Sequence, residues 1–390
     1  MTTAKHEIEL NRKISHFGCS PRVSVKFFML NSITYDRIRM AKGKILKYPT
    51  IPIEVWPDKK IDELVGEMSF IGFQGRRLSE AVNVWSKMLK KRSIVIWLGL
   101  AGAMIPAGMR RIISYFIRRR MIDALVTTGA NLYHDCFEAL GGKHYIGSDS
   151  LDDVKLRKNR IDRIYDVLAN EKRFYAVDLW IEKEFCTNLI DDFPYSTREI
   201  LYLLGKILSE KCREKDSILV SAFKAGVPIF SPALCDSSLG FSIMFANRRR
   251  GRRIVINEIK DIDETSRITE KSKLTGVIFI GGGTPKNFIQ QTAVIASYQT
   301  RHNKSHNYAI QITTDIPVWG GLSGCTFEEA QSWGKIGRNA PKVTCHSDAT
   351  VALPIVAHAL SERFKKLRRN VPIFEWSESS LNIDFQRMRL

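Results

Sequence analysis

The stretch TGVIFIGGG, Thr275 to Gly283, runs through Val277, Ile278, Phe279 and Ile280 without polar alternation and then breaks into three glycines. A strand with one face in water alternates apolar and polar side chains, whereas a strand covered on both faces reads as continuous apolar sequence. The stretch therefore predicts a buried strand of a parallel sheet that ends in a tight turn. Similar runs recur as SIVIWLG (93 to 99), DALVTTG (123 to 129), DSILVSAF (216 to 223), GVPIFSPA (226 to 233), RRIVINEI (252 to 259), NYAIQITTD (307 to 315) and PKVTCHSDAT (341 to 350). Helical patterns such as MRRIISYFIRRRMID, TREILYLLGKILSEK and PKNFIQQTAVIASYQ lie between several of them and supply the crossovers that parallel strands require. The expected fold is α/β, with a doubly wound, mostly parallel, Rossmann-like sheet. One domain over residues 51 to 390 is expected, after a basic N-terminal extension over residues 1 to 50. No repeat, low-complexity tract or Pro/Gly/Ser linker divides it.

A chain of 390 residues with 44% hydrophobic content can bury a large core, which excludes disorder as its main state. The net charge of +19 is uneven, because the first 120 residues hold 23 Lys/Arg against 9 Asp/Glu. Such an excess can attract nucleic acid or acidic lipid, but no aromatic-interleaved RNA motif or zinc spacing accompanies it, so it reads as solvated surface. Neither a nucleic-acid partner nor a metal is expected. Seven scattered cysteines without a CxxC pair, and an N-terminus too polar for a secretory signal, point to a cytoplasmic protein. The one membrane-like run, residues 93 to 109, is interrupted by Gly99, Gly102, Pro106 and Gly108. It predicts a buried strand, a loop and a helix over 108 to 120 rather than a span.

In doubly wound sheets the ligand lies beyond the carboxyl ends of the strands. The residues there share a composition: Thr127, Thr128 and Gly129; Ser231, Asp236 and Ser237; Gly281, Gly282, Gly283 and Thr284; Thr313, Thr314 and Asp315; Ser347, Asp348 and Ala349. Glycines and small hydroxyls admit phosphate to the backbone, and aspartates accept from ribose hydroxyls. IGGGTPKN lacks the G-x-G-x-x-G spacing, so recurrence over five strand ends, and not any single motif, predicts a nucleotide pocket.

A second stretch, EEAQSWGKIG (Glu328 to Gly337), puts Lys335 behind Trp333 and Gly334. Thr326 and Glu329 have the spacing of a capping box, which predicts a helix from Phe327 that carries Glu329, Trp333 and Lys335 toward one pocket. The same residues also read as a cap, a core tryptophan and a solvated terminal lysine.

With ALVTTGAN, FSPALCDSSLG, TGVIFIGGG, GLSGCTFEEAQSWGKI and SDATVALP in this order, the chain resembles deoxyhypusine synthase over roughly residues 70 to 365. The resemblance implies an NAD-dependent transferase in which Lys335 forms an imine with a 4-aminobutyl group taken from spermidine. It also implies a homotetramer with its sites at subunit interfaces. An imine-forming amine must be neutral, and a dry pocket lined by Trp333 is expected to disfavour the charged form of Lys335. Glu329 is expected to cap its helix, to hold a cationic polyamine nitrogen or to relay a proton. Thr128, Gly129, Asp236, Thr314, Asp315, Asp348 and Ala349 fall where the family contacts NAD.

The departures are specific. Phe241 and Leu322 stand where the family has aspartates for spermidine ammonium groups, and Asn287 stands where it has a histidine. Tyr133 and His134 replace an acidic pair; His134 reads equally as an acid/base group and as a satisfied histidine. Two missing carboxylates, each worth roughly 1.5 to 3 kcal/mol, disfavour spermidine in the family's pose. The pattern is similar to the divergent deoxyhypusine synthase-like branch of bacteria, which lack a hypusine-bearing translation factor. The expected reaction is transfer of an aminobutyl-type group through Lys335 to a small amine, with a polyamine or diamine as substrate and a homospermidine-type product. Deoxyhypusine synthesis on a protein lysine and a silent NAD-binding subunit are the alternatives.

Overall fold

The computed structural model describes residues 48–212, 216–321, 324–377 and 380–389. Backbone contacts divide the chain into Met1–Val55 and Trp56–Leu390. Of the basic extension expected over residues 1 to 50, residues 1 to 47 lie outside the described residues, as does Leu322.

The larger unit is built on six parallel strands: β1 (Val95–Leu100), β2 (Ala124–Thr127), β3 (Ile229–Phe230), β4 (Thr275–Ile280), β5 (Tyr308–Thr313) and β6 (Lys342–His346). Their spatial order is β3-β2-β1-β4-β5-β6. This is the order of a doubly wound dinucleotide-binding sheet, in which the winding direction reverses between β1 and β4. Alternate side chains enter two separate cores, as the unbroken apolar runs require. Ile96, Leu98, Leu100, Ile278 and Ile280 pack with Ile113, Phe116 and Leu353 of helices Arg110–Arg118 and Ala349–Arg363. Val95, Trp97, Val277 and Phe279 pack on the other side with Ile289 of helix Gly283–Thr300 and with Phe327. Each such side chain, fully buried, contributes about 1.5–3 kcal/mol.

Two of the expected strands are corrected. DSILVSAF forms the helix Ile218–Ala225, with Ser217 as N-cap and Gly226 in the left-handed conformation at its end. The cause is a carboxylate from elsewhere in the chain. Buried Asp135 accepts from the backbone N–H groups of Ile218 and Leu219 at 2.9 Å each and from Ser217 Oγ at 2.7 Å, satisfying the free amides of the first turn. RRIVINEI contributes only Val255–Ile256, which pairs with Pro194–Tyr195 outside the central sheet.

Two further elements had no place in the sequence reading. Strands His144–Ile146, Ile161–Ile164 and Val167–Asn170 form a small antiparallel sheet between helices Gly129–Ala139 and Glu171–Trp180. Strands Arg368–Trp376 and Leu381–Arg389 form an antiparallel hairpin. Arg369 bolts this hairpin to the sheet through an ion pair with Asp123 at 2.8 Å, both side chains being fully buried. Asp123 in turn accepts from the Ile96 N–H of β1. No helix among the described residues is long and apolar enough to cross a membrane.

Candidate active site

At the reversal point the ends of β1 and β4 lie side by side, with Leu100 opposite Ile280. Ala101 N–H donates to Ile280 O at 3.0 Å, and Gly281 N–H donates to Ile312 O at 2.8 Å, so both strands turn away together. Gly102 and Gly281 have φ of +70° and +74°, and a Cβ on Gly281 would sit 3.1 Å from that of Ala101. Only glycine satisfies both the left-handed backbone and the close approach. Gly102 belongs to this crevice, although within SIVIWLGLAGAM it had read only as a break in an apolar run.

The expected nucleotide residues gather around this point with different occupations. Thr128 caps helix Gly129–Ala139 and donates from Oγ1 to Gly102 O at 2.9 Å, tying the β1 and β2 loops together. Gly129 is required for packing, since a Cβ there would meet Ser237 Oγ at 2.4 Å. Ser237 is buried and its hydroxyl already donates to Leu234 O. Asp236 and Thr314 are exposed. Asp315 Oδ1 accepts from Ile316 N–H at 2.9 Å, and Asp348 caps the helix that begins at Ala349 by accepting from Thr350 N–H at 2.7 Å. The Thr350 hydrogen bond holds the Asp348 carboxyl below its usual range. Gly282 and Gly283 open helix Gly283–Thr300. The buried Ser231 Oγ has no hydrogen-bond partner among the described residues.

Around Lys335 the helix is shorter than expected, which corrects the reading of one face carrying Glu329, Trp333 and Lys335. It spans Phe327–Ser332, and Thr326 Oγ1 accepts from Glu329 N–H at 3.0 Å as predicted. Trp333 is the C-cap, and Gly334 has φ of +70°. Gly334 N–H donates to Gln331 O and Lys335 N–H to Ala330 O, the two bonds of a Schellman turn. The glycine between tryptophan and lysine thus reverses the chain and sends Lys335 back into the protein. Lys335 is only 7% exposed, and its Nζ donates to Asn287 Oδ1 at 3.3 Å. Trp333 does not provide a dry wall within one chain: it is 63% exposed, with its ring centroid 5.5 Å from Lys335 Nζ. Glu329 is also exposed.

Beside Asn287 lies a second lysine that the sequence reading passed over. Lys286 is 2% exposed, and its Nζ donates to Gln311 Oε1 at 2.9 Å and to Cys325 O at 2.6 Å. Gln311 Nε2 donates to Gly281 O. One chain of bonds therefore links the β4 turn to the loop that precedes the Lys335 helix. Burial, aided by the nearby Lys335 cation, pushes Lys286 down to about 8, against the opposing effect of Cys325 and Glu329. The signal was a polar residue inside the apolar strand YAIQIT; a glutamine there needs a buried partner. A cavity of about 450 Å³, lined by Gly283, Thr284, Asn287, Phe288, Ile262 and Thr265, opens beside Asn287.

Lys335, Asn287 and Trp333 are thus brought together. His134 and Phe241 lie on another pair of packed helices, Gly129–Ala139 and Ser238–Arg250, and no described contact joins them to Lys335. Phe241 is 54% exposed. Half-buried His134 bonds to His144 and is pushed down to about 4, chiefly by burial and then by His144.

A family model described as deoxyhypusine synthase matches residues 63–360. "Probable deoxyhypusine synthase 2" of Methanosarcina acetivorans is 53% identical over 346 residues, covering 87% of this chain and 97% of its own. "Deoxyhypusine synthase-like protein" of Elusimicrobium minutum is 38% identical, covering 78% and 82% respectively. The crystal structure of an Entamoeba histolytica chain assigned as a deoxyhypusine synthase superposes with a TM-score of 0.54 at 18% identity. It covers 77% of this chain and 93% of that one, a likeness of fold. The family-model match, which spans the sheet and the Lys335 turn, together with these identities, shows that the chain belongs to the deoxyhypusine synthase family.

Proposed function

We propose that this member of an aminobutyl-transferase family uses NAD and Lys335 to move an aminobutyl-type group from a polyamine or diamine to an acceptor amine, a small amine of the homospermidine-forming kind. The observation that carries the reading is the buried amine of Lys335, delivered by the Schellman turn and held by Asn287 Oδ1 at 3.3 Å. A neutral amine has two hydrogens and one lone pair, so engaging one hydrogen limits where the lone pair can point. Lys335 would attack the imine carbon of the dehydrogenated donor and expel the departing diamine, and the acceptor amine would then displace Lys335.

The residues fit a dinucleotide. The cradle at Gly102 and Gly281 is one that a Cβ would fill, and Ser231 Oγ is buried without a partner among the described residues. Thr128, Gly129, Gly282, Gly283, Thr314, Asp315, Asp348 and Ala349 would hold it, with Asp236 and Ser237 beside them. Bound NAD would supply the acceptor for the donor's hydride and, once reduced, the hydride that converts the final imine to the product amine. Exposed Phe241 offers no charge to a polycation, which favours a donor or acceptor carrying fewer ammonium groups than the family's standard pose. Exposed Phe241, Trp319 and Trp333 suit burial against further copies, in keeping with a homotetramer whose sites lie between subunits. Transfer to a protein lysine is the second reading, favoured by the naming of the relatives at 53 and 54% identity as probable deoxyhypusine synthases.

Borohydride trapping tests the proposal. After incubation with NAD and spermidine, putrescine or agmatine, reduction is expected to leave an NAD-dependent adduct on Lys335, whose mass identifies the transferred group. NAD binding without an adduct from any amine would sink it. Transfer to a hypusine-type acceptor protein in preference to diamines would establish the second reading instead.

A further inference from the structure

The small antiparallel sheet has a chemical consequence, because it brings His144 to His134. His134 Nδ1 lies 2.9 Å from His144 Nε2, and His144 Nδ1 lies 2.7 Å from Glu138 Oε1. The bonding pattern defines the tautomers. Ionised Glu138 can only accept, so His144 carries hydrogen on Nδ1; its Nε2 then accepts from His134 Nδ1–H. This leaves His134 Nε2 as a lone pair, without a hydrogen-bond partner among the described residues.

Phe137 and Phe174 pack their rings against the pair, so the two imidazoles share a largely apolar wall. Of the charged groups around them, Arg110 lies 3.3 Å from the other Glu138 oxygen and is held by Asp135 at 2.7 Å. Asp178, from helix Glu171–Trp180, is engaged by Tyr133 and by Ser242 of helix Ser238–Arg250. Glu138 is therefore the carboxylate that faces the histidines directly. His134 is a poor resting place for a proton, being pushed down to about 4, whereas His144 is in contact with a negative charge.

We propose that His134, His144 and Glu138 form a proton relay in which His134 Nε2 receives a proton from a substrate ammonium and His144 stores it. In this step the substrate N–H bond breaks and its electron pair stays on nitrogen. An N–H bond forms at His134 Nε2, the His134 Nδ1–H proton passes to His144 Nε2, and an imidazolium results against the Glu138 carboxylate. One proton moves and no electrons are exchanged. The reverse transfer returns the proton to the leaving amine. His144 and Glu138 act through His134 and are positioning residues. The inference rests on the proposed amine chemistry with sites between subunits, where His134 of one copy would supply the base that Asn287 of another, which cannot titrate, does not.

The full chain labelled with [15N]histidine and followed by two-bond proton–nitrogen correlation tests the relay without substrate, with His134→Gln and His144→Gln giving the assignments. At high pH, His134 is expected as the Nδ1–H tautomer. On acidification His144 should become the imidazolium while His134 switches to Nε2–H. A neutral His134 already carrying hydrogen on Nε2, or two rings that titrate independently, would overturn the proposal. In amine-dependent NADH formation, Glu138→Gln is expected to move the acid limb of the pH profile down by about one unit, with NAD affinity unchanged. An unmoved limb would also overturn it. Failure to trap any amine on Lys335 would refute the amine chemistry while leaving the tautomer result readable by itself.

Discussion

Lys286 precedes Asn287 in the chain and Lys335 is bonded to it, yet the two lysines are held differently. Lys335 donates to Asn287 Oδ1, and Asn287 lines the cavity, while Lys286 is held by Gln311 and Cys325 inside the protein. A buried ammonium pays for desolvation, and linkage turns that cost into a pH dependence. The ordinary lysine value of 10.5 applies to the unfolded chain, and the folded value is about 8. Below 8 the folded state carries the full penalty; between 8 and 10.5 the unfolded chain binds more protons, so stability rises with pH across that window. Lys286→Met is expected to abolish this rise, as read by urea unfolding of both proteins at a series of pH values. Parallel pH dependence in the two would refute the assignment. Asn287 was legible as a departure from the family's histidine, but its bond to Lys335 was not, because 48 positions separate the pair in sequence.

At the scale of elements, the Lys335 turn shows how a local motif becomes a site. Gly334 is the one residue of Trp-Gly-Lys with positive φ, and the left-handed conformation costs other residues about 1–2 kcal/mol. Gly334→Ala is expected to lower stability by about that amount and to slow Lys335 trapping severalfold, with NAD affinity unchanged in a binding titration. Wild-type trapping in that variant would show that the turn does not place the lysine. The C-terminal hairpin is secured differently, by a charge pair with no exposure to water. Arg369→Ala removes the closer of two buried arginines on Asp123, which keeps Arg120 at 3.4 Å and the Ile96 N–H, so a loss of about 1–3 kcal/mol in urea unfolding is expected. A loss below 1 kcal/mol would mean that water reaches the aspartate. The helix Ile218–Ala225 makes the complementary point. Its caps, Ser217 and Gly226, were present in the sequence beside a β-branched run, but the carboxylate that satisfies its first turn is Asp135, 82 positions before Ser217.

For the whole molecule, the sheet order places the glycine ends of β1 and β4 together, and the Lys286–Gln311 bonds connect that crevice to the Lys335 turn. His134 and Phe241 lie on a different helix pair, which is how a site completed by another copy of the chain would be arranged. Light scattering of the purified protein is expected to give four times the 44.5 kDa chain mass. A monomer that still forms the Lys335 adduct would show that one chain holds a complete site. The sequence by itself determined the parallel sheet, since only strands covered on both faces lose their polar alternation. It also determined the Thr326 cap and the family, through motifs that are contiguous in the chain. The tertiary structure alone decided the strand order, the helix at DSILVSAF, the bond from Lys335 to Asn287 and the pairing of His134 with His144. Each of these depends on contacts between distant segments, whereas hydrophobic periodicity and capping signals report only on near neighbours.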